Sequence, residues 1–147
     1  MLARWWMIPI FGYHRIGEPK GDHVPTITPD VFERQLHVIQ QGGYRVLPLA
    51  EVVNALEEGR ALPRHSVVIT FDDGYEETST VVAPLLHRVG FHATVFLAPS
   101  EVGSPGFMTW EQVRRMAGNG MSVGSHTLHH TARVATSARR RKGASAE

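Results

Sequence analysis

The sequence predicts an α/β fold built on a parallel β-sheet, and three observations support this. Five segments of strand character alternate with four segments of helical periodicity, as in consecutive β-α-β units. Residues 66–71 read Ser-Val-Val-Ile-Thr-Phe, without the polar-apolar alternation of a strand that has one solvent face, and this suits a parallel strand covered on both sides. The 147 residues are 42% hydrophobic and include no cysteine, so we expect one domain with an ordinary core and no disulfide or thiolate metal site.

The first half of the chain supplies two strands and two helices. Residues 8–13 are a short apolar and aromatic run, which predicts the first strand. Thr28 followed by proline predicts a helix start with a hydroxyl cap, and the paired glycines at 42–43 predict its end. Residues 44–47 predict the second strand. The second helix is predicted from apolar residues that share one helical face: Leu49, Val52, Val53 and Leu56.

The third strand, residues 66–71, ends at an Asp-Asp-Gly sequence, and a helix is predicted over residues 76–89. Pro84 lies inside that helix, so we expect a kink or a late start there. Gly90 then ends the helix.

The last two units are shorter. Residues 93–97 predict the fourth strand, and residues 121–125 predict the fifth. Between them, Thr109 and Gln112 have the spacing of a capping box, which predicts a helix that begins at Trp110.

This order of elements fits either an open doubly wound sheet or part of a barrel, and both folds place function at the carboxyl ends of the strands. Polar side chains follow three of the predicted strands: His14, then Asp72 and Asp73, and then a histidine-rich segment that contains His126 and His130. We therefore expect these side chains to meet at one end of the sheet.

The spacing of these residues predicts a metal centre. His126 and His130 are four positions apart, so one helical turn would place both imidazoles on one face. One carboxylate completes a two-His, one-Asp ligand set with open positions for water and substrate. A second carboxylate beside it is suited to accept a proton, and the predicted chemistry is metal-assisted hydrolysis. Thr127 is a candidate for holding the ligands in place.

Each candidate also has a purely structural interpretation. An Asp-Asp pair after a strand often caps the next helix, and nine histidines make a chance spacing common. Trp110 is either a packed residue at a helix start or a platform for a sugar, and His14 either bonds within the core or lines the site. An acidic magnesium pocket of the receiver or phosphatase kind is a third hypothesis, which the histidine pair disfavours because Mg²⁺ prefers oxygen ligands.

The charge distribution disfavours nucleic acid as a partner. Residues 131–147 hold five basic residues and one acidic residue, a net charge of +4, which leaves the rest of the chain at −3. A nucleic-acid face needs clustered Lys and Arg on the folded part, and the sequence does not predict one. No apolar stretch is long enough for a membrane span, and the opening residues 1–11 do not predict a signal peptide, so no compartment is assigned.

Five segments together resemble the polysaccharide deacetylases, the NodB-like carbohydrate esterases: IPIFGYHRIG, TPDVFERQLHVIQQGGYRVLPLAEV, VVITFDDGY, LLHRVGFHATVFL and TWEQVRRMAGNGMSVGSHTLHH. The resemblance covers residues 8–131 and implies the N-terminal part of a distorted (β/α) barrel. It further implies that the enzyme removes acetyl groups from N-acetylated, sometimes O-acetylated, sugar polymers. The YHRI sequence is most similar to members that act on poly-N-acetylglucosamine or related bacterial surface glycans.

The resemblance also assigns roles to residues. It implies that Asp72 is the catalytic base and that Asp73, His126 and His130 bind zinc or a similar divalent ion. The backbone N–H of Tyr75 would then hold the oxyanion.

The chain departs from the family pattern after the histidine pair. The family continues with an arginine that orients the base, an acidic and aromatic segment, and a Leu-x-His whose histidine is the general acid. Residues 132–147 contain no histidine, aspartate or aromatic residue, and they are predicted to be a disordered basic tail. We therefore expect a truncated or frame-shifted domain with impaired catalysis, the alternative being a fragment that binds metal or glycan without catalysis.

Overall fold

A computed structural model describes residues 7–128 and shows an α/β fold with a parallel sheet. In this sheet β1, β5, β6 and β7 lie side by side in that order, and β4 also pairs with β5. Every pairing is parallel, as predicted. In chain order the strands are β1 (Ile10–Tyr13), β2 (Arg15–Ile16), β3 (Thr26–Ile27), β4 (Arg45–Val46), β5 (Ser66–Phe71), β6 (Thr94–Leu97) and β7 (Ser122–Ser125).

The helices lie where the periodicity predicts them. They are α1 (Pro29–Gln41), α2 (Leu49–Glu57), α3 (Ala83–Val89) and α4 (Trp110–Gly118). The capping box of α4 is present, with Thr109 and Gln112 bonded reciprocally. The predicted hydroxyl cap of α1 is wrong: the Thr28 hydroxyl donates to the Asp30 carboxylate instead of accepting a backbone N–H.

Pro84 is accommodated by a change of helix type. The backbone widens into a π-helical turn over Thr78–Val82, and the Ala83 N–H bonds to the carbonyl of Thr78. Proline cannot donate a backbone hydrogen bond, and its ring collides with the preceding turn of an α-helix, so a wider turn relieves both problems. The predicted irregularity is therefore confirmed, and Gly90 ends α3 with a φ of 71°.

Strand β5 lies at the centre of the core, with all six of its residues buried. On one side of β5, Ile69 and Phe71 belong to the main hydrophobic cluster, which also includes residues of α1, α3 and α4. Val68 belongs to a smaller cluster that includes residues of α2. The doubly covered strand predicted from the apolar run is confirmed.

The contact face of α2 differs from the prediction. Val52 and Ala55 are its buried residues, whereas Val53 and Leu56 are exposed. Ala55 is fully buried although alanine is only weakly apolar, so the periodicity of the larger apolar residues does not reveal which face of α2 packs inward.

Strands β2 and β3 were not predicted. They form a separate two-stranded parallel pair that brackets the polar segment of residues 17–25. Two-residue strands are too short to carry a periodic signal. The predicted domain boundary at residue 131 and the tail of residues 132–147 lie outside the described residues.

Candidate active site

The polar residues predicted at the strand ends do meet at the carboxyl edge of the sheet. His14 directly follows β1, Asp72 and Asp73 follow β5, and His126 follows β7. Two acid–imidazole pairs result: Asp73 with His126, and Asp72 with His14. His130 lies outside the described residues, so its predicted role stays a prediction.

The inner pair is Asp73 and His126. Asp73 Oδ1 lies 3.4 Å from His126 Nε2, and the Asp73 side chain is only 3% exposed. The His126 amide donates to the carbonyl of Leu97 at 2.7 Å, which continues the pairing of β6 with β7 and fixes the position of the imidazole. A buried carboxylate oxygen and an imidazole nitrogen that face each other are donors suited to one divalent ion.

The backbone is strained at both ends of this pair. Asp73 has a φ of 73° and Thr127, beside His126, has a φ of 65°. L-residues other than glycine rarely adopt this left-handed conformation, which costs about 1–3 kcal/mol and is retained where the surrounding structure enforces it. The strain therefore marks the segments that aim Asp73 and His126. Thr127 directly follows His126, and its supporting role stays a prediction.

The outer pair is Asp72 and His14. His14 Nε2 lies 4.0 Å from Asp72 Oδ2, and both side chains are partly exposed. The Asp72 amide donates to the Tyr13 carbonyl at 2.9 Å, so the carboxylate is held as an extension of the β1–β5 pairing. Its partial exposure leaves the carboxylate accessible to water and to a substrate.

Gly74 makes the tight turn after the two aspartates possible. Its φ is 84°, and an added Cβ would lie 2.5 Å from Leu97 Cδ2. Only glycine combines this conformation with such close packing. The turn therefore depends on Gly74, and the positions of the two aspartate side chains depend on the turn.

Tyr75 is attached to the site through both its backbone and its side chain. An antiparallel bridge with Phe107 is formed by the amides of Glu76 and Met108, each at 3.0 Å from its acceptor, so the Tyr75 amide takes no part in it. The Asp73 side chain lies near the Tyr75 hydroxyl and acts on it electrostatically. Burial, followed by the negative charge of Asp73, raises the pKa of Tyr75.

Trp110 lies at the start of α4 and is 50% exposed. The interpretation of Trp110 as a packed helix-start residue is therefore wrong, because Val113 and Met116 supply the buried face of α4. The exposed indole stays a candidate platform for a sugar ring.

The described residues fit a metal ion in part. Asp73 and His126 supply one oxygen and one nitrogen donor, but residues 7–128 contain no cluster of three or more His, Asp or Glu that could hold an ion. His130 would be the third donor. Among the helices of the described residues, none is long and apolar enough to cross a bilayer.

The sequence analysis missed a group of residues beside Tyr75. Arg15 on β2 is 5% exposed, its Nη1 donates to both carboxylate oxygens of Asp22 at 2.9 and 2.8 Å, and its Cζ lies 4.5 Å from the centre of the Tyr75 ring. The signal available in the sequence was the arginine of the Tyr-His-Arg-Ile segment, directly after the site candidate His14.

Comparison with known proteins identifies the family. The family model described as polysaccharide deacetylase matches residues 59–144, more than half of the chain. YxkH of Bacillus subtilis (strain 168), a protein assigned to the polysaccharide deacetylases, is 32% identical over 123 residues, covering 84% of this chain and 43% of YxkH. The poly-β-1,6-N-acetyl-D-glucosamine N-deacetylase of Escherichia coli (strain K12) is 27% identical over 132 residues, covering 78% of this chain and 20% of that protein.

Solved structures agree with this result. The Streptococcus pyogenes deacetylase PplD, in complex with acetate, superposes with a TM-score of 0.76 at 30% identity, covering 84% of this chain and 57% of PplD. IcaB from Ammonifex degensii superposes with a TM-score of 0.73 at 29% identity, covering 82% and 53%. The chain thus spans about half the length of these solved relatives, and less of the two proteins compared by sequence. The parallel α/β fold, the family model and these relatives together show that this chain belongs to the polysaccharide deacetylase family.

Proposed function

We propose that the chain acts as a metal-dependent hydrolase that removes acetyl groups from an N-acetylated polysaccharide. The observation that carries the proposal is the pair of acid–imidazole contacts at one sheet edge, in which the Asp73 carboxylate is buried and the Asp72 carboxylate is partly exposed. The two adjacent aspartates lie in different environments, and carboxylates in different environments can take different roles in one reaction.

Asp72 is the proposed base. Its carboxylate is partly exposed and is held by the β1–β5 pairing, so it can accept a proton from a water molecule that attacks the acetyl carbonyl. His14, 4.0 Å away, lines the same opening and can hold water or substrate against the base.

Asp73, His126 and His130 are the proposed metal ligands, with zinc the expected ion. When bound, such an ion polarises the acetyl carbonyl and lowers the pKa of its water. The burial of Asp73 and the neighbouring Tyr75 hydroxyl keep its carboxylate in one orientation.

The backbone N–H of Tyr75 is the proposed oxyanion donor. The bridge to Phe107 is made by neighbouring amides, which leaves this N–H outside the bridge and next to both aspartates. As the acetyl carbonyl becomes tetrahedral, an N–H fixed in place stabilises the charge that develops on its oxygen. The C–N bond then breaks as the proton that Asp72 took from the water passes to the leaving nitrogen, giving acetate and a free amine on the glycan.

The proposed substrate class is a polymer of N-acetylated hexosamine. The E. coli relative is named for deacetylating poly-β-1,6-N-acetyl-D-glucosamine, which supports this class. The exposed Trp110 indole, on the segment that follows β6, offers a surface on which a sugar ring can stack.

Acetate release from N-acetylglucosamine oligomers tests the catalytic part of the proposal. We expect the zinc-loaded chain to release acetate more slowly than a complete family member, and Asp72→Asn to slow release further, by up to about 10²- to 10⁴-fold, the usual contribution of a general base. Asp30→Asn on α1 is the matched control, since it removes an exposed carboxylate that pairs with Arg34 on the same helix.

Zinc titration tests the metal site separately. Asp73→Ala should remove the stoichiometric zinc site, whereas His37→Ala, an exposed histidine on α1, should leave it intact. Zinc binding by a wild-type chain that releases no acetate would overturn the catalytic proposal in favour of a non-catalytic metal- or glycan-binding domain.

A further inference from the structure

A buried arginine lies behind the candidate metal centre, and no step of the proposed reaction uses it. Arg15 is on β2, outside the main sheet, and its guanidinium is almost wholly enclosed. One nitrogen donates to both oxygens of Asp22, while Nε has no hydrogen-bond partner among the described residues. A buried cation with an unsatisfied donor is costly, so stability alone is a poor explanation of this arrangement.

Arg15 and Phe107 both contact the ring of Tyr75. The Arg15 guanidinium carbon lies 4.5 Å from the ring centre, a cation–π contact, and Phe107 stacks on the ring with centres 5.0 Å apart. The ring is itself buried, so it has little freedom to rotate. Arg15 and Phe107 together therefore hold the Tyr75 ring, and with it the hydroxyl, in place.

The Tyr75 hydroxyl lies near the Asp73 side chain. The interaction between them joins the buried ring to the carboxylate that faces His126. A chain of contacts results, from Asp22 through Arg15 and Tyr75 to Asp73. Hydrogen bonds to ligating carboxylates orient them, and disturbing such outer contacts weakens metal binding.

The segment of residues 17–25 holds this series of contacts in place through two ion pairs. Asp22 holds Arg15, and Lys20 Nζ lies 2.8 Å from Glu77 Oε1, two residues after Tyr75. The Arg15 amide also bonds to the Pro25 carbonyl at 3.3 Å. The segment thus closes around Arg15 and keeps its guanidinium against the ring.

From this geometry we propose that Arg15 is a positioning residue for the metal centre, acting through the Tyr75 ring and hydroxyl to hold the Asp73 carboxylate in its ligating orientation. The inference rests on the proposed function, because it needs Asp73 to be a metal ligand. Arg15 itself touches neither metal nor substrate.

Zinc affinity of the full 147-residue chain, measured by isothermal titration calorimetry with zinc chloride, tests the proposal. Arg15→Met keeps the bulk of the side chain and removes the charge and the donors. We expect it to weaken zinc binding by about 10- to 100-fold. Arg15→Lys restores the charge and should bind zinc more tightly than Arg15→Met. Arg34→Met, which removes an exposed arginine on α1, is the control and should leave the affinity unchanged.

A double-mutant cycle separates positioning from a general loss of structure. If Arg15 acts through the Tyr75 hydroxyl, Arg15→Met should have little further effect on zinc affinity in a Tyr75→Phe background. Effects that multiply independently would overturn the proposal, as would an Arg15→Met chain that binds zinc within twofold of wild type.

Two further outcomes keep the test decisive. If Arg15→Met does not fold, Asp22→Asn is tested instead, because it alters only the exposed partner of Arg15. Weaker zinc binding by Asp22→Asn supports the proposal, and unchanged binding overturns it. A wild-type chain that binds no zinc would overturn the proposed function and this inference together. Zinc binding that is insensitive to Arg15 would overturn this inference alone.

Discussion

Replacing Gly74 with alanine should destabilise the protein through two separable effects. The φ of 84° costs an alanine about 1–2 kcal/mol, since Cβ crowds the backbone in the left-handed region. The new methyl would also lie 2.5 Å from Cδ2 of Leu97, whose side chain is 3% exposed and has little space into which to move. Overpacking of this kind costs about 1–3 kcal/mol, so the expected total is about 2–5 kcal/mol.

Gly90 is the matched control, because it isolates the backbone effect. It has a φ of 71°, and no atom lies within 4 Å of the point that an added Cβ would occupy. Gly90→Ala should therefore cost only about 1–2 kcal/mol. Urea unfolding followed by far-ultraviolet circular dichroism gives the free energy of unfolding of both variants, and equal m-values would show that the unfolding reaction is the same.

A second substitution tests whether the clash with Leu97 causes the larger destabilisation expected of Gly74→Ala than of Gly90→Ala. Leu97→Val removes the methyl that the new Cβ would strike, so Gly74→Ala should cost about 1–2 kcal/mol less in a Leu97→Val background than in wild type. The reasoning is refuted if Gly74→Ala is no more destabilising than Gly90→Ala, or if the two substitutions are additive.

Three other expectations follow from the fold. Thr109→Ala removes the capping box that Thr109 forms with Gln112, and should lower the free energy of unfolding by about 1 kcal/mol in urea titrations, against no change if the cap contributes nothing. The hydrogen bond from Arg15 holds the pKa of Asp22 below 3.8, so this pair stabilises the fold above that pH, and the stabilisation is lost as the pH falls through the lowered pKa. Wild type and Asp22→Asn should therefore differ in free energy of unfolding at pH 7 and not in strong acid. A difference that persists in strong acid would contradict the assignment. Ile69→Ala should cost about 2–5 kcal/mol by the same denaturation assay, because the residue is fully buried at the centre of β5, and a cost below 1 kcal/mol would show that the site collapses freely.

Much of the architecture was predictable because its signals are local. The apolar run of β5, the Thr109 capping box and the glycine that ends α3 each involve neighbouring residues, and the structure confirms all three. Since the carboxyl ends of parallel strands lie at one edge of the sheet, the sequence also predicted that Asp72, Asp73 and His126 lie at that edge. The predicted hydroxyl cap of α1 does not form because the Thr28 hydroxyl donates to the Asp30 carboxylate.

What the sequence by itself determined is the order of strands and helices, the family, and the identity of the acidic and imidazole groups at the site. Only the tertiary structure decided which face of α2 is buried, how Pro84 is accommodated, and that Arg15 lies against Tyr75. Propensities, caps and periodicity act between neighbours in the chain, whereas the contact of a buried guanidinium with a distant ring forms only when β2 and the turn after β5 pack together. The support of the candidate metal centre is therefore a property of the packed structure.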